Sequence, residues 1–201
     1  MVVVRRARLT RPAFCVTMLV QMFWGVITGA SAAWIPPQRL ARIREQLPAR
    51  DDLITDVLLC TGFRLDDIMH CRVWQLRQPQ LRLMERKTGK LRAVQLPDQT
   101  RVRLDAQLRG RAALAYAFPA LRHGGRRKQH RTTYWRHFAA AVRAAGYADC
   151  AYTPHSLRKC YAVDALRRTH SLAAVQRDLG HASAGTTAIY ALSAVLGDDN
   201  P

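Results

Sequence analysis

The chain has 201 residues, enough for one ordinary domain with its own core and a short extension. Its 32 Lys and Arg against 14 Asp and Glu give a formal net charge of +18. Such an excess concentrates polyanions, chiefly nucleic acid, and makes their binding salt-sensitive, with an anionic membrane surface or an arginine-rich proteome as the alternative. The five cysteines, Cys15, Cys60, Cys71, Cys150 and Cys160, are odd in number and form no CxxC or Cys/His cluster. This argues against a disulfide framework and a structural zinc site, and for small buried thiols in a reducing compartment.

The first stretch, "MVVVRRARLTRPAF", carries four arginines and no acid, and an uncharged run follows it to Trp34. A basic start, apolar middle and small-residue "ASA" suit a secretory signal or a single span. Thr, Gln, Gly and Ser dilute the run, so the favoured expectation is a core-packing helix or an extension of residues 1–37 outside the folded domain. "IPPQRLARIREQLP" predicts a helix opened by Pro36 and Pro37, with Leu40, Ile43 and Leu47 on one face. In "DDLITDVLLCTGFRLDDIM", Asp51 and Asp52 suit a first helical turn, Leu53, Val57 and Leu58 face a core, Gly62 breaks the helix, and another starts near Leu65.

At "LRLMERKTGKLRAVQLP" the period changes to two. Leu81 and Leu83 alternate with charged residues, residues 87–90 offer a turn, and Leu91, Ala93 and Gln95 are expected to continue the alternation, giving a β-hairpin. Helices are expected over 100–117. "RHGGRRKQHR" (122–131) is a glycine-containing basic loop. "TTYWRHFAAAVRAAG" predicts a helix with a threonine cap and Gly146 at its end. "YTPHSLRKCYAVDALRRT" and "SLAAVQRDLG" predict two more, the latter capped by Ser171 and ended by Gly180. "SAGTTAIYALSAVLG" predicts a final helix, with Ser183 as its cap.

Five short motifs stand out in this order: "TGFR", "ERKTGK", "TPHSLRK", "LGH" and "TTAIY". Each alone has an ordinary explanation. An arginine after a helix-breaking glycine is commonly a solvated cap. His155 and Arg158, three apart, share a helical face, but a buried histidine with a structural hydrogen bond does the same. His181 after Gly180 can cap a helix end, and Tyr190 can be a half-buried packing residue.

Their order and spacing resemble the catalytic domain of the tyrosine recombinases, the phage integrase family, over roughly residues 38–195. The family pattern is an arginine in a TGxR-like turn, a lysine on a β-hairpin, HxxR, LGH, and a tyrosine nine residues beyond that histidine. The resemblance implies a mainly α fold with a small antiparallel β-sheet (α+β), of the DNA breaking-rejoining type, over residues 38–201. It implies a site-specific recombinase that cleaves and rejoins duplex DNA through a 3′-phosphotyrosine, in DNA integration or another rearrangement of a mobile element. Tyr190 would be the nucleophile, and Arg64 and Arg158 the clamp on the non-bridging oxygens. Lys87 would donate a proton to the 5′ leaving oxygen, with Lys90 the alternative for want of a known hairpin register. His155 and His181 would hydrogen-bond the phosphate and manage protons. No cofactor or metal is implied. The expected partners are double-stranded DNA and further recombinase subunits, as a tetramer in synapsis, in the cytoplasm on the nucleoid.

Arg122, Arg126, Arg127, Lys128, Arg131, Arg136, Arg143 and Lys159 are the candidate backbone-phosphate contacts, which set position rather than sequence. A solvated charge run is the plain alternative for the loop. The resemblance is incomplete before residue 38, where family members carry a helical core-binding domain. Competing functions are therefore an accessory DNA-binding module without productive cleavage, a type IB topoisomerase relaxing strands alone, and, from residues 1–34 only, a membrane-anchored or secreted protein.

Overall fold

The computed structural model describes residues 32–121 and 126–179. Helix α1 (Pro37–Glu45) starts where Pro36 and Pro37 supply the fixed φ of a first turn. Its Ile43 is fully buried, as is nearly all of Leu47 beyond its end. Helix α2 (Ala49–Thr61) carries Asp51 and Asp52 in its first turn, where the helix dipole favours acids, and buries Leu53, Ile54, Val57 and Leu58. Gly62 ends it in the left-handed conformation, φ 62°. A Cβ there would stand 2.3 Å from the Tyr161 ring, so the position needs glycine both for its backbone angle and for the close approach.

Two short helices follow, α3 (Leu65–Met69) and α4 (Val73–Leu76), and then the hairpin of β1 (Gln80–Met84) and β2 (Leu91–Gln95). The strands are antiparallel, with Leu81 opposite Val94 and Leu83 opposite Arg92. Leu81 and Leu83 point inward as expected, but the parity of β2 is the reverse of the expectation: Leu91, Ala93 and Gln95 are exposed. Directly opposed residues share a face, so the register places Val94 and Arg92 behind the two leucines and sends Leu91 out with Met84.

Helix α5 (Asp98–Leu108) stops well short of the expected 117. Gly110 adopts φ 71°, and the chain then runs back beside α4. Val73 N–H donates to Ala115 O at 3.0 Å and Ala117 N–H to Cys71 O at 2.8 Å, so these backbone groups find partners across the chain rather than in a helix. Helix α6 (Arg131–Ala144) is capped by His130, whose Nδ1 accepts from Thr132 N–H; the expected threonine cap lies within the first turn of the helix instead.

Helix α7 (Pro154–Thr169) opens on a reciprocal capping box: Thr153 Oγ1 accepts from the helix and the Ser156 side chain accepts from Thr153 N–H at 3.0 Å. Leu157, Cys160 and Val163 join the main core with α2, while Tyr161, Ala162 and Ala165 pack on Val175 and Leu179 of α8 (Leu172–Leu179). Ser171 Oγ accepts from Ala174 N–H at 3.2 Å and caps α8, as expected. With helix on both flanks, α7 is buried around most of its circumference. Cys71 and Cys160 are buried, and Cys60 and Cys150 half-buried. Burial pushes the Cys60 and Cys160 thiols up to about 12, which keeps both protonated and inert. Among the described residues, no helix is long and apolar enough to cross a membrane. The expectations for residues 1–31, for Arg122, for the Gly180 stop and for the last helix with Ser183 lie outside the described residues.

Candidate active site

The turn after α2 places Arg64 at the N-cap of α3 in an extended conformation. Arg158, in the second turn of α7, reaches the same place from the other side. Its guanidinium donates to the Gly62 carbonyl and, at 2.5 Å, to the Leu179 carbonyl, and only 8% of the residue is exposed. One arginine therefore ties together the "TGFR" turn, α7 and the end of α8.

Between these guanidiniums stands Glu85, the residue after β1, with no exposed surface. Its Oε2 accepts from Arg64 at 2.8 Å and from Thr88 Oγ1 at 2.8 Å. Its Oε1 lies 3.2 Å from Arg92 and 3.6 Å from Arg158. Arg92 also donates to the Thr61 carbonyl at 3.0 Å and lies over the Phe63 ring at 4.5 Å. Burial alone would raise the Glu85 carboxyl, but the Thr88 hydroxyl, the Arg64 hydrogen bond and the Arg64 and Arg158 charges outweigh it and hold the group at about 2. Three guanidiniums gather around this one carboxylate, with the Arg64 side chain 22% exposed to solvent. Such a site can take an anion with several oxygens, as a phosphodiester has.

His155 stands on α7 one turn before Arg158, its backbone N–H donating to Thr153 Oγ1 and its ring edge-on to Trp135 at 6.2 Å. Partial burial, then the charges of Arg158, Arg64, Lys87 and Arg131, lower its pKa, so the imidazole is neutral at pH 7 with a lone pair to offer. Lys87 lies in the turn between the strands. That turn is closed by Glu85 N–H to Lys90 O at 2.9 Å and Gly89 N–H to Glu85 O at 2.8 Å, with Gly89 at φ 65°. The hairpin is tied to α3 by Arg86 N–H donating to Asp67 Oδ1 at 2.9 Å. Asp67 is buried and its carboxyl is raised, by burial first and by the Glu85 charge.

Four of the six expected residues, Arg64, Lys87, His155 and Arg158, thus surround one spot; His181 and Tyr190 lie outside the described residues. Of the expected phosphate contacts, Arg126, Arg127, Arg131, Arg136 and Arg143 are exposed and Lys128 half-exposed. The basic loop leaves a closed base, Ala120 N–H to Arg127 O at 2.7 Å and Gln129 N–H to Phe118 O at 2.8 Å. Lys159 departs from that exposed set. It is 9% exposed within the body of α7, and burial lowers its pKa. Among the described residues, no group of three or more His, Cys, Asp or Glu could hold a metal ion.

Glu85, Arg92 and Asp67 escaped the sequence reading. One signal for Glu85 was present: it continues the inward parity of Leu81 and Leu83, and an acid at an inward strand position calls for a buried cation.

Residues 37–195 match the model of the phage integrase family, and the chain belongs to that family. Tyrosine recombinase XerD of Pseudomonas putida is 34% identical over 152 residues, which are 73% of this chain and 50% of that protein. Tyrosine recombinase XerA of Pyrococcus furiosus is 32% identical over 144 residues, 70% of this chain and 49% of that one. The chain spans about half the length of these curated relatives. In fold, it resembles a lambda integrase fragment in the crystal structure of its dimer bound to a COC′ core site, with a TM-score of 0.64 and 21% identity, over 79% of this chain and 59% of that one. The mainly helical domain with one small antiparallel sheet is the expected fold class.

Proposed function

We propose that this domain, residues 38–201, is a DNA strand transferase: it cleaves and rejoins duplex DNA as a site-specific recombinase. The observation that carries the reading is the convergence of Arg64 and Arg158 on one buried carboxylate, with His155 and the Lys87 turn alongside. In this reading, Arg64 and Arg158 hold the non-bridging oxygens of a phosphodiester whose equatorial charge grows in the transition state. The Tyr190 oxygen attacks phosphorus, the bond to the 5′ oxygen breaks, and a 3′-phosphotyrosine forms. The phenolic proton leaves to a base, for which neutral His155 is suited, and Lys87 protonates the departing 5′ oxygen. Lys87 is the candidate for that role, with Lys90 the alternative. The exchange conserves the phosphoester bond, so religation needs no ATP. His181 completes the phosphate contacts.

The exposed cations at 126, 127, 131, 136 and 143, with half-exposed Lys128, grip the backbone. Duplex DNA and further subunits are the partners, as a lambda integrase dimer on its core site would suggest; synapsis would take a tetramer, in the cytoplasm on the nucleoid. The test is a nicked suicide duplex. It traps an SDS-resistant protein–DNA adduct with the wild-type chain, and Tyr190→Phe abolishes it. Changing Arg64 or Arg158 to Ala slows its formation by on the order of a hundredfold. Salt-sensitive binding with no adduct on any duplex would mean an accessory binding module instead.

A further inference from the structure

We propose that Glu85 is a positioning residue: its buried carboxylate holds the Arg64 guanidinium and, through the Thr88 hydroxyl, the turn bearing Lys87, in one fixed relation. The inference rests on the strand-cleavage reading above. The same oxygen, Oε2, accepts from Arg64 and from Thr88, each at 2.8 Å, so α3 and the hairpin turn share a single anchor. The second oxygen faces Arg92 at 3.2 Å and Arg158 at 3.6 Å, and Arg92 fastens the arrangement to the end of α2 through the Thr61 carbonyl.

An anchor matters here because Arg and Lys side chains are long and flexible. Left alone, both would repel each other and drift into solvent. A carboxylate with no exposed surface, saturated by cations and a hydroxyl, holds a guanidinium in a preset orientation before any phosphate arrives. Its single negative charge also offsets part of the repulsion among Arg64, Arg92 and Arg158, while leaving a positive excess for the phosphate. Thr88 transmits the same constraint to the adjacent residue, Lys87.

Single-turnover cleavage of the nicked duplex, with DNA affinity measured in parallel on the full chain, tests the assignment. Glu85→Gln should cleave about a hundredfold more slowly, the cost of a misplaced reacting group, while binding DNA within about threefold of wild type. Glu85→Asp should restore part of the rate. Thr88→Val keeps the carboxylate and the fold and loosens only the turn. It should cleave about tenfold more slowly on the ordinary phosphodiester, and at the wild-type rate on a duplex with a 5′-bridging sulfur, which leaves as a thiolate without taking a proton. Glu85→Gln should stay slow on that duplex too, because the Arg64 contact is not bypassed. The assignment is overturned if Glu85→Gln cleaves like wild type, if either variant loses binding as much as cleavage, or if the sulfur substrate leaves the Thr88→Val defect intact. A wild-type chain that forms no adduct overturns the cleavage reading itself, and this inference with it; an adduct unchanged by Glu85→Gln overturns this inference alone.

Discussion

Gly62 shows how much one position can carry. It has a left-handed backbone, its Cα faces the Tyr161 ring, and its carbonyl accepts from Arg158. Gly62→Ala is expected to destabilise the fold by about 1–3 kcal/mol, from backbone strain together with overpacking. A thermal melt should show a lower midpoint, with cleavage falling further than folding because the Arg158 anchor moves. At Glu85 the folded carboxyl is depressed from 4.5 to about 2. A depressed acid adds stability above its unfolded pKa and loses it as pH falls, so this contribution fades as the pH drops from about 4.5 towards 2. Denaturant melts of Glu85→Gln across that window should lack this part of the acid limb. The reverse case is binding at His155. Its imidazole is depressed in the free protein, chiefly by partial burial and then by surrounding cations, so a phosphate that screens those cations raises it. DNA binding should therefore favour the protonated imidazole and tighten as pH falls below neutrality, a trend absent in His155→Ala, while cleavage, which needs the neutral ring as base, slows over the same range.

Between elements, polar networks decide how the helices sit. Asp51, 1% exposed on α2, lies 2.5 Å from His137 Nδ1 on α6 and accepts from Gln129 Nε2 at 3.2 Å. Gln129 in turn accepts from Arg50, which also donates to the Pro119 carbonyl at 2.9 Å. This chain fastens the base of the basic loop and the first turns of α6, and so Trp135 against His155, to the core helix α2. Asp51→Ala strands its partners and should cost about 3 kcal/mol, read as a fall of several degrees in the melting midpoint. On the other side of α2, Arg44 and Arg103 share Asp52 and Asp56 at 2.6–3.0 Å, joining α1, α2 and α5. These pairs are partly exposed, so they direct helix placement more than they add stability. Elements governed by near neighbours were readable in advance: the Pro36–Pro37 start, the Gly62 stop and the Ser171 cap. The parity of β2 was not, since it follows from the cross-strand register. Nor was the end of α5 at Leu108, because residues 111–117 find their hydrogen bonds on residues 71–74, far away in sequence.

At the scale of the molecule, in the function proposed above, charge would set how DNA is held and the arginine cluster what is done to it. With a formal net charge of +18, affinity should fall steeply with salt. Replacing Arg126, Arg127 and Lys128 together by Ala should reduce the slope of log affinity against log salt by about three, roughly one per lost phosphate contact, across unrelated duplexes. A binding series between low and physiological salt checks this, and cleavage within the bound complex should be unchanged. The sequence by itself determined the family, the helical class with one hairpin, and the order of arginine, lysine, HxxR, LGH and tyrosine, because caps, breaks and motif spacing are properties of contiguous residues. Only the tertiary structure decided that Arg64, Arg158 and Arg92 meet on Glu85, that Thr88 couples Lys87 to them, and that Lys159 is buried. Arg64 lies 21 positions from Glu85 and Arg158 far along the chain on α7, and the packing of α2 against α7 brings both to it; Arg92 and Thr88 are only 7 and 3 positions from Glu85, but the way they turn follows the cross-strand register, as the burial of Lys159 follows from what covers a helix face.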